Sequence, residues 1–535
     1  MARFASFVRP SRFRSVPAYF LTATEPEKST EISPYGAKRC PARPLRTSRG
    51  CFSRYTATQS NAPQRGLIQW EMDMKSFLAS VAGLALAAGI ATTASAQDGA
   101  PRQVLFTNVN IFDGVSEALV ENGSVLVEGN LIKTVSTEAI DAGEATVIDG
   151  GGRTLTPGFI DNHVHLMLPG PTLPSMEANS TWEDLAIAGV ASAEMYLMQG
   201  FTTVRDAGGQ NGGLQRAINA GTVAGPRIYP SGAFLSTRGG HADFANYTSP
   251  VGESSNFSRL NMAQEVDNVA DVQKFGRNNF RMGASQLKFM QSGGVVSVFD
   301  PWQLIAGSQA EIEAAVQVAN EYGSYVMAHS YRKEAILNAL NAGVRSIEHG
   351  FMFDCEISAL MAEKDAYITT NLTAFDPNLF DIPAISEVPA SLRKAKSAAA
   401  AFTDYLDNMR ECPAKRGHHT DCVGTVDACN IQIAYEKHLA NEFFGAYTSL
   451  VALTSVGGEI AALTGDFMNP YPEGKLGVIE EGAYADILLI DGNPLEDFSV
   501  VGTGDQWFGA EPRPDSPETI RIIMKDGVIY KNTLN

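Results

Sequence analysis

Between residues 156 and 475, short apolar runs ending in polar residues alternate with longer amphipathic stretches, and this pattern constrains the fold most. GFTTVRDAG, SQLKFMQSGG, YVMAHSY and RSIEHGF have the length and composition of strands. TWEDLAIAGVASAEMYLMQ and AEIEAAVQVANEYG, in contrast, carry apolar residues at helical spacing. Strands that alternate with helices build parallel sheets, because each helix carries the chain back to start the next strand in the same direction. The chain has 535 residues, and a barrel of ordinary size with an accessory domain fits that length. The expected architecture is α/β: a (β/α)8 TIM barrel over residues 156–475. Residues 376–430 are irregular and read as a long insertion near the active-site face.

The segments flanking the barrel read differently. VLFTNVNIF and SVLVEGNLIKTVS near one end, and ADILLIDGNP and IRIIMKDGVIY near the other, are short strand patterns broken by Gly and Asn. Residues 97–155 and 476–535 are expected to pair into one small β-sandwich domain built from both ends of the mature chain.

The N-terminal region lies outside this scheme. Lys75, the apolar run Phe77 to Ile90 and Ala94-Ser95-Ala96 before Gln97 have the order of a secretory signal peptide over residues 72–96. The run is short for a membrane span, so removal is preferred to anchoring. Residues 1–71 are rich in Arg, Ser and Pro and poor in acids, and are read as a doubtful extension upstream of a start at Met72 or Met74. The expected location is periplasmic or secreted, with no membrane contact after cleavage. Formal net charge is -18 with no basic stripe after the N-terminus, which argues against nucleic acid as a partner. The expected partner is a small-molecule or peptide substrate, and a homo-oligomer is allowed.

Cys412, Cys422 and Cys429 cluster with His418 and His419 in ECPAKRGHHTDCVGTVDAC. Such a cluster fits zinc, but an oxidising compartment favours a disulfide within the loop, whose pairing spacing alone leaves open.

Chemistry concentrates at strand ends. His163 and His165 stand in DNHVHL, and residues i and i+2 of a strand share a face, so both rings can converge on one metal. His329 and His349 each close an apolar run, at the end where a TIM barrel keeps its active site. Lys288 lies inside the apolar run SQLKFM, where a buried ammonium is costly unless paired or modified. GGQNGG at 208–213 lacks the Gly-Lys-Ser/Thr ending of a phosphate loop and reads as a βα loop.

These motifs resemble the amidohydrolase superfamily, in the branch of imidazolonepropionase-like hydrolases, prolidase-like dipeptidases and ochratoxin-degrading amidases. TLTPGFIDNHVHL, GPRIYPSGAFLSTRGGHAD, GASQLKFMQSGGV, MAHSY, SIEHG and GVIEEGAYADILLIDGNPLED carry the resemblance from about residue 103 onward. It implies two divalent metal ions, zinc by default. The metal ligands would be His163, His165, a carboxylated Lys288, His329, His349 and a final aspartate. For that aspartate the order of elements favours Asp427 over Asp466, with Asp421 in HHTDC a third option. Asp427 would also move the proton, and His241 and Tyr331 match positions that contact the reacting carbonyl in related dipeptidases. The implied reaction is hydrolysis of an amide bond of dipeptide or N-acyl amino acid type by a metal-bridging hydroxide. A lactonase or phosphotriesterase on the same site, or a non-catalytic binding protein, are the rivals.

Overall fold

The computed structural model describes residues 102–534 except Pro169, Pro171, Ile382, Phe508 and Gly509. The expectations for residues 1–71 and for the signal peptide 72–96 lie outside the described residues, as do Cys40 and Cys51. No described helix is long and apolar enough to cross a membrane.

Eight parallel strands form the barrel: Phe159–Val164, Phe201–Asp206, Arg227–Pro230, Leu287–Met290, Val326–Ser330, Ser346–His349, Tyr367–Thr369 and Arg416–Gly417. The third and fourth strands join where the Ser285 amide donates to the Pro230 carbonyl at 2.7 Å. The ring closes where the Asn162 amide donates to the His418 carbonyl and the Asp421 amide to the His163 carbonyl, both at 2.9 Å. The barrel strands are buried on both faces, so their sequences read as continuous runs and not as alternations.

The helices start where their caps dictate. Thr181 and Ser308 each accept from the amide three residues on, and Asp184 and Glu311 reciprocate. They open Trp182–Met198 and Gln309–Glu321, the two helices expected from the pattern. The insertion is more regular than expected and holds helices Pro389–Ala399 and Tyr405–Glu411.

Strands from both ends of the described chain pair as expected: Thr154–Pro157 runs antiparallel to Ile487–Ile490. The first strand, Gln103–Ile111, pairs Val120–Glu128 on one side. On its other side it pairs Thr146–Asp149 with its first half and Thr154–Pro157 with its second. The break falls near Asn108, whose φ is 52°. Two leaves thus share one strand and wrap a core that includes Val104, Phe106, Val125, Leu155, Ile487 and Ile522. Leu488, Ile490, Ile520 and Ile523 belong instead to the cluster with Phe159, Phe201 and Leu197 of the barrel.

Two disulfides are present among the described residues, Cys355–Cys412 and Cys422–Cys429. The second is the loop bridge that the oxidising reading expected. With all four sulfurs paired, no thiolate is left to bind zinc in this segment.

Candidate metal centre and active site

The barrel interior is polar. Arg205 crosses it, fully buried, and donates to both Glu348 oxygens at 2.8 and 2.9 Å, to Ser346 Oγ, and to the Asn162 carbonyl. Glu348 in turn holds His163 Nδ1 at 2.7 Å. This pair orients His163 so that Nε2 faces the C-terminal ends of the strands, 3.3 Å from Lys288 Nζ. Thr369 Oγ1 donates to the same Glu348 and lies 2.9 Å from His419 Nδ1.

At the strand ends, ligand atoms of His163, His349, His419 and Asp421 all lie within 4.8 Å of one another. Asp421 Oδ1 is 3.1 Å from His165 Nε2 and 3.5 Å from His163 Nε2. His419 stacks on His163 with ring centroids 3.9 Å apart, and His329 packs edge-on to His349 at 4.5 Å. His329 Nε2 sits 3.2 Å from the Gly293 carbonyl. His349 and Asp421 both adopt left-handed backbone, with φ of 69° and 53°. Such a conformation costs energy for a residue with a Cβ and clusters at functional sites. At His349 it is held by Asn371 Oδ1, 3.0 Å from Nδ1, and by the Thr370 hydroxyl donating to the His349 carbonyl.

The electrostatics follow from burial. Desolvation pushes His163, His329, His349 and His419 below the ordinary imidazole range, so their rings are neutral and able to act as ligands. Burial also brings Lys288 down to about 8. Burial works against the Asp421 anion, but the surrounding histidines outweigh it and hold its carboxyl well below the usual range. His165 Nδ1 and His419 Nε2 are buried with no hydrogen-bond partner. Neutral imidazoles with spare nitrogens, one anionic carboxylate and a nearby lysine of lowered basicity form a donor set that suits a divalent cation.

These groups open into a cleft at the barrel mouth. His241 and Tyr331 line it together with an apolar wall that includes Phe244, Val295, Phe351, Ile385 and Phe402. Ala395 and Ala398 of the inserted helix complete that wall. Tyr331 touches the rings of His349 and Phe351, and burial pushes its hydroxyl up, which keeps it a proton donor.

The structure therefore brings His163, His165, Lys288, His329, His349, His241 and Tyr331 to one cleft. It does not bring Asp427 there. Asp427 is exposed in the first turn of helix Val426–Phe444, where its charge favours the helix dipole. Asp466 is also exposed, in a short helix beside Gly323, which precedes the fifth strand and so lies at the opposite end of the barrel. The aspartate at the cluster is Asp421, ranked third from sequence. His419 was not singled out from its neighbour; Gly-His-His-Thr-Asp directly after an eighth strand would have marked both, but that strand is only two residues long.

The model of the Amidohydrolase family matches residues 154–417. A crystal structure of a prolidase complexed with N-methylphosphonate-L-proline is 33% identical, with TM-score 0.71, and covers 81% of this chain and 100% of that one. A Xaa-Pro dipeptidase with bound methionine is 28% identical, with TM-score 0.67, over 80% and 100% of the two chains. Ochratoxinase of Aspergillus niger is 29% identical over 347 residues, 63% of this chain and 66% of that protein, slightly under two thirds of its length. On the strength of these matches and of the histidine-lined barrel mouth, the chain belongs to the amidohydrolase family.

Proposed function

We propose that this chain hydrolyses an amide bond of dipeptide or N-acyl amino acid type and depends on two divalent cations, zinc first among them. One observation carries the reading: Asp421 and the strand-end histidines converge with Lys288 on one point at the mouth of the barrel. His163, His165 and Asp421 would hold one cation, His329 and His349 the other, and a carboxylated Lys288 both, with His419 offering a further nitrogen. Bound there, such cations supply Lewis acidity and lower the pKa of water toward neutrality. Asp421 takes the place first given to Asp427: part-exposed and anionic, it accepts a proton and returns it to the leaving nitrogen. Tyr331 faces the cleft, placed to donate a hydrogen bond to the carbonyl oxygen as charge develops on it, and His241 lines the same space beside it. The apolar wall selects a substrate with a bulky uncharged group and excludes water from the reacting bond. The names of the prolidase, dipeptidase and ochratoxinase relatives support an amide substrate.

The paired cysteines support a periplasmic or secreted location, where disulfides persist. The test is metal analysis of the purified protein followed by a panel of dipeptides, N-acyl amino acids and lactones. The expected result is amide turnover that a chelator abolishes and zinc restores. A metal-loaded protein that cleaves lactones and no amide would overturn the reading.

A further inference from the structure

The loop after the fourth strand and the inserted helix Pro389–Ala399 enclose a buried polar group that the reaction scheme above does not use. Asp300, Ser297 and Lys394 are all at most 7% exposed, in surroundings formed largely by Val295, Trp302, Ala395, Ala398 and Phe402. Lys394 comes from the inserted helix and donates to the Ser297 carbonyl at 2.7 Å, to Ser297 Oγ at 2.8 Å and to the Asp300 carbonyl at 3.0 Å. Asp300 Oδ2 accepts from the Gly294 amide at 2.7 Å and stands 3.6 Å from His241 Nδ1. Ser297 Oγ is 2.9 Å from that same Nδ1. Burying an ammonium and a carboxylate in an apolar roof adds little stability, since desolvation offsets their attraction. Their geometry around one ring nitrogen is the more telling feature.

We infer that Ser297, Asp300 and Lys394 are positioning residues for His241, fixing its proton on Nδ1 and leaving Nε2 for the substrate. The inference rests on the amide-hydrolase reading for the role of His241, but not for its geometry. A serine hydroxyl has one proton and two lone pairs. Lys394 can only donate, so it occupies one lone pair of Ser297 Oγ. The hydroxyl proton has an acceptor in the Gly294 carbonyl at 3.2 Å. The second lone pair is then open to an N–H from His241 Nδ1, and the Asp300 carboxylate beside that atom favours a proton there. Burial works against the Asp300 anion, but the neighbouring His241 N–H and the charge of Lys394 outweigh it and leave its carboxyl at about 2.

The ring is also packed by its neighbours. One face stacks on His329 with centroids 4.1 Å apart. Gly294 also packs against the ring, where a Cβ would come within 2.1 Å of Cε1. This accounts for a glycine at that point in the SGG sequence. Because Lys394 belongs to the insertion, the helix that walls the cleft also sets the histidine facing it. The Trp302 indole, donating to Ser397 Oγ at 3.2 Å, ties the same loop and helix a second time.

The test uses metal-loaded protein with ¹⁵N-labelled histidine, in which long-range proton–nitrogen spectra report the tautomer of each ring and a His241→Gln sample assigns the signal. The expected result is a His241 ring protonated at Nδ1, with that signature lost in Ser297→Ala and Lys394→Met. On an amide substrate both variants should lose about 10- to 100-fold in kcat, with KM changing far less, as expected when orientation alone fails. Ser297→Thr keeps the hydroxyl and should restore both the tautomer and most of kcat. Ser297→Ala, a small change, decides the matter if Lys394→Met does not fold. A wild-type His241 protonated at Nε2, or a Ser297→Ala protein with unchanged tautomer and kcat, overturns the inference. If no amide is turned over, the functional reading fails while the tautomer still decides this one.

Discussion

Asp421 holds a left-handed backbone within hydrogen-bond distance of His165, and a side chain so placed is sensitive to small chemical change. Asp421→Asn keeps the shape but removes the negative charge and the site for a proton. The expected loss in kcat is about 10²–10⁴-fold at saturating zinc, the size of a general acid–base contribution. Asp427→Asn and Asp466→Asn, both exposed and outside the ligand cluster, should stay near wild type. An inactive Asp427→Asn beside an active Asp421→Asn would reverse the assignment. Lys288→Ala should lose both bound metal and activity, and short carboxylic acids should restore part of each, because they replace the oxygen ligands that a carboxylated lysine supplies. Full metal content in that variant would remove the bridge. His163, His165 and Lys288 were legible because strand periodicity and an out-of-place charge are local signals. Asp421 was not, because nothing in its own segment reads as a strand.

The elements around Asp421 explain that failure. The eighth strand, Arg416–Gly417, is defined by its pairing to Thr369 and by the closure onto Asn162 and His163, all remote in sequence. It lies inside the stretch 376–430 that reads as an insertion, so the strand was passed over and Asp427 looked well placed. The two disulfides bracket this region and divide its labour. Cys355–Cys412 closes a separation of 57 residues and fastens the end of helix Tyr405–Glu411 to helix Cys355–Lys364. Loop entropy alone assigns about 4 kcal/mol to a closure of that length. Cys422–Cys429 spans only 7 residues, worth about 2.5 kcal/mol on the same scale. It is, however, adjacent to Asp421. Replacing Cys355 and Cys412 by Ala should therefore lower the denaturant midpoint more, yet leave kcat/KM at 25 °C nearly intact. Replacing Cys422 and Cys429 by Ala should cost less stability and more activity. Equal losses of activity in the two double variants would show that Cys422–Cys429 does not hold the aspartate.

At the scale of the whole molecule, the joint between barrel and β-domain was anticipated, since both ends of the chain carry matching strand patterns, but its chemistry was not. A lysine on a long helix reads as solvent-facing, yet Lys437 is fully buried. Its ammonium donates to the Gln199 carbonyl at 3.2 Å and to the Val501 carbonyl at 3.0 Å, and lies 4.9 Å from the ring centres of Phe159 and Phe201. It thereby links the first two barrel strands, the end of helix Trp182–Met198 and the C-terminal segment. Burial, with the charge of Arg513 adding to it and Asp161 opposing, lowers its pKa from 10.5 to about 7. Between those values the unfolded chain binds a proton that the folded chain does not. Stability from this group must then rise as pH climbs from about 7 to 10.5, while below about 7 the full cost of burying the charge remains. Lys437→Met fills similar space and cannot titrate, so it removes this slope while leaving two carbonyls without their donor at every pH. Wild-type unfolding free energy minus that of Lys437→Met, from urea melts at steps between pH 6 and pH 10, should be flat at first and then increase through the alkaline range. A difference that stays level across the whole range would mean that Lys437 keeps its proton in the folded state, held by the two carbonyls and two rings against its burial.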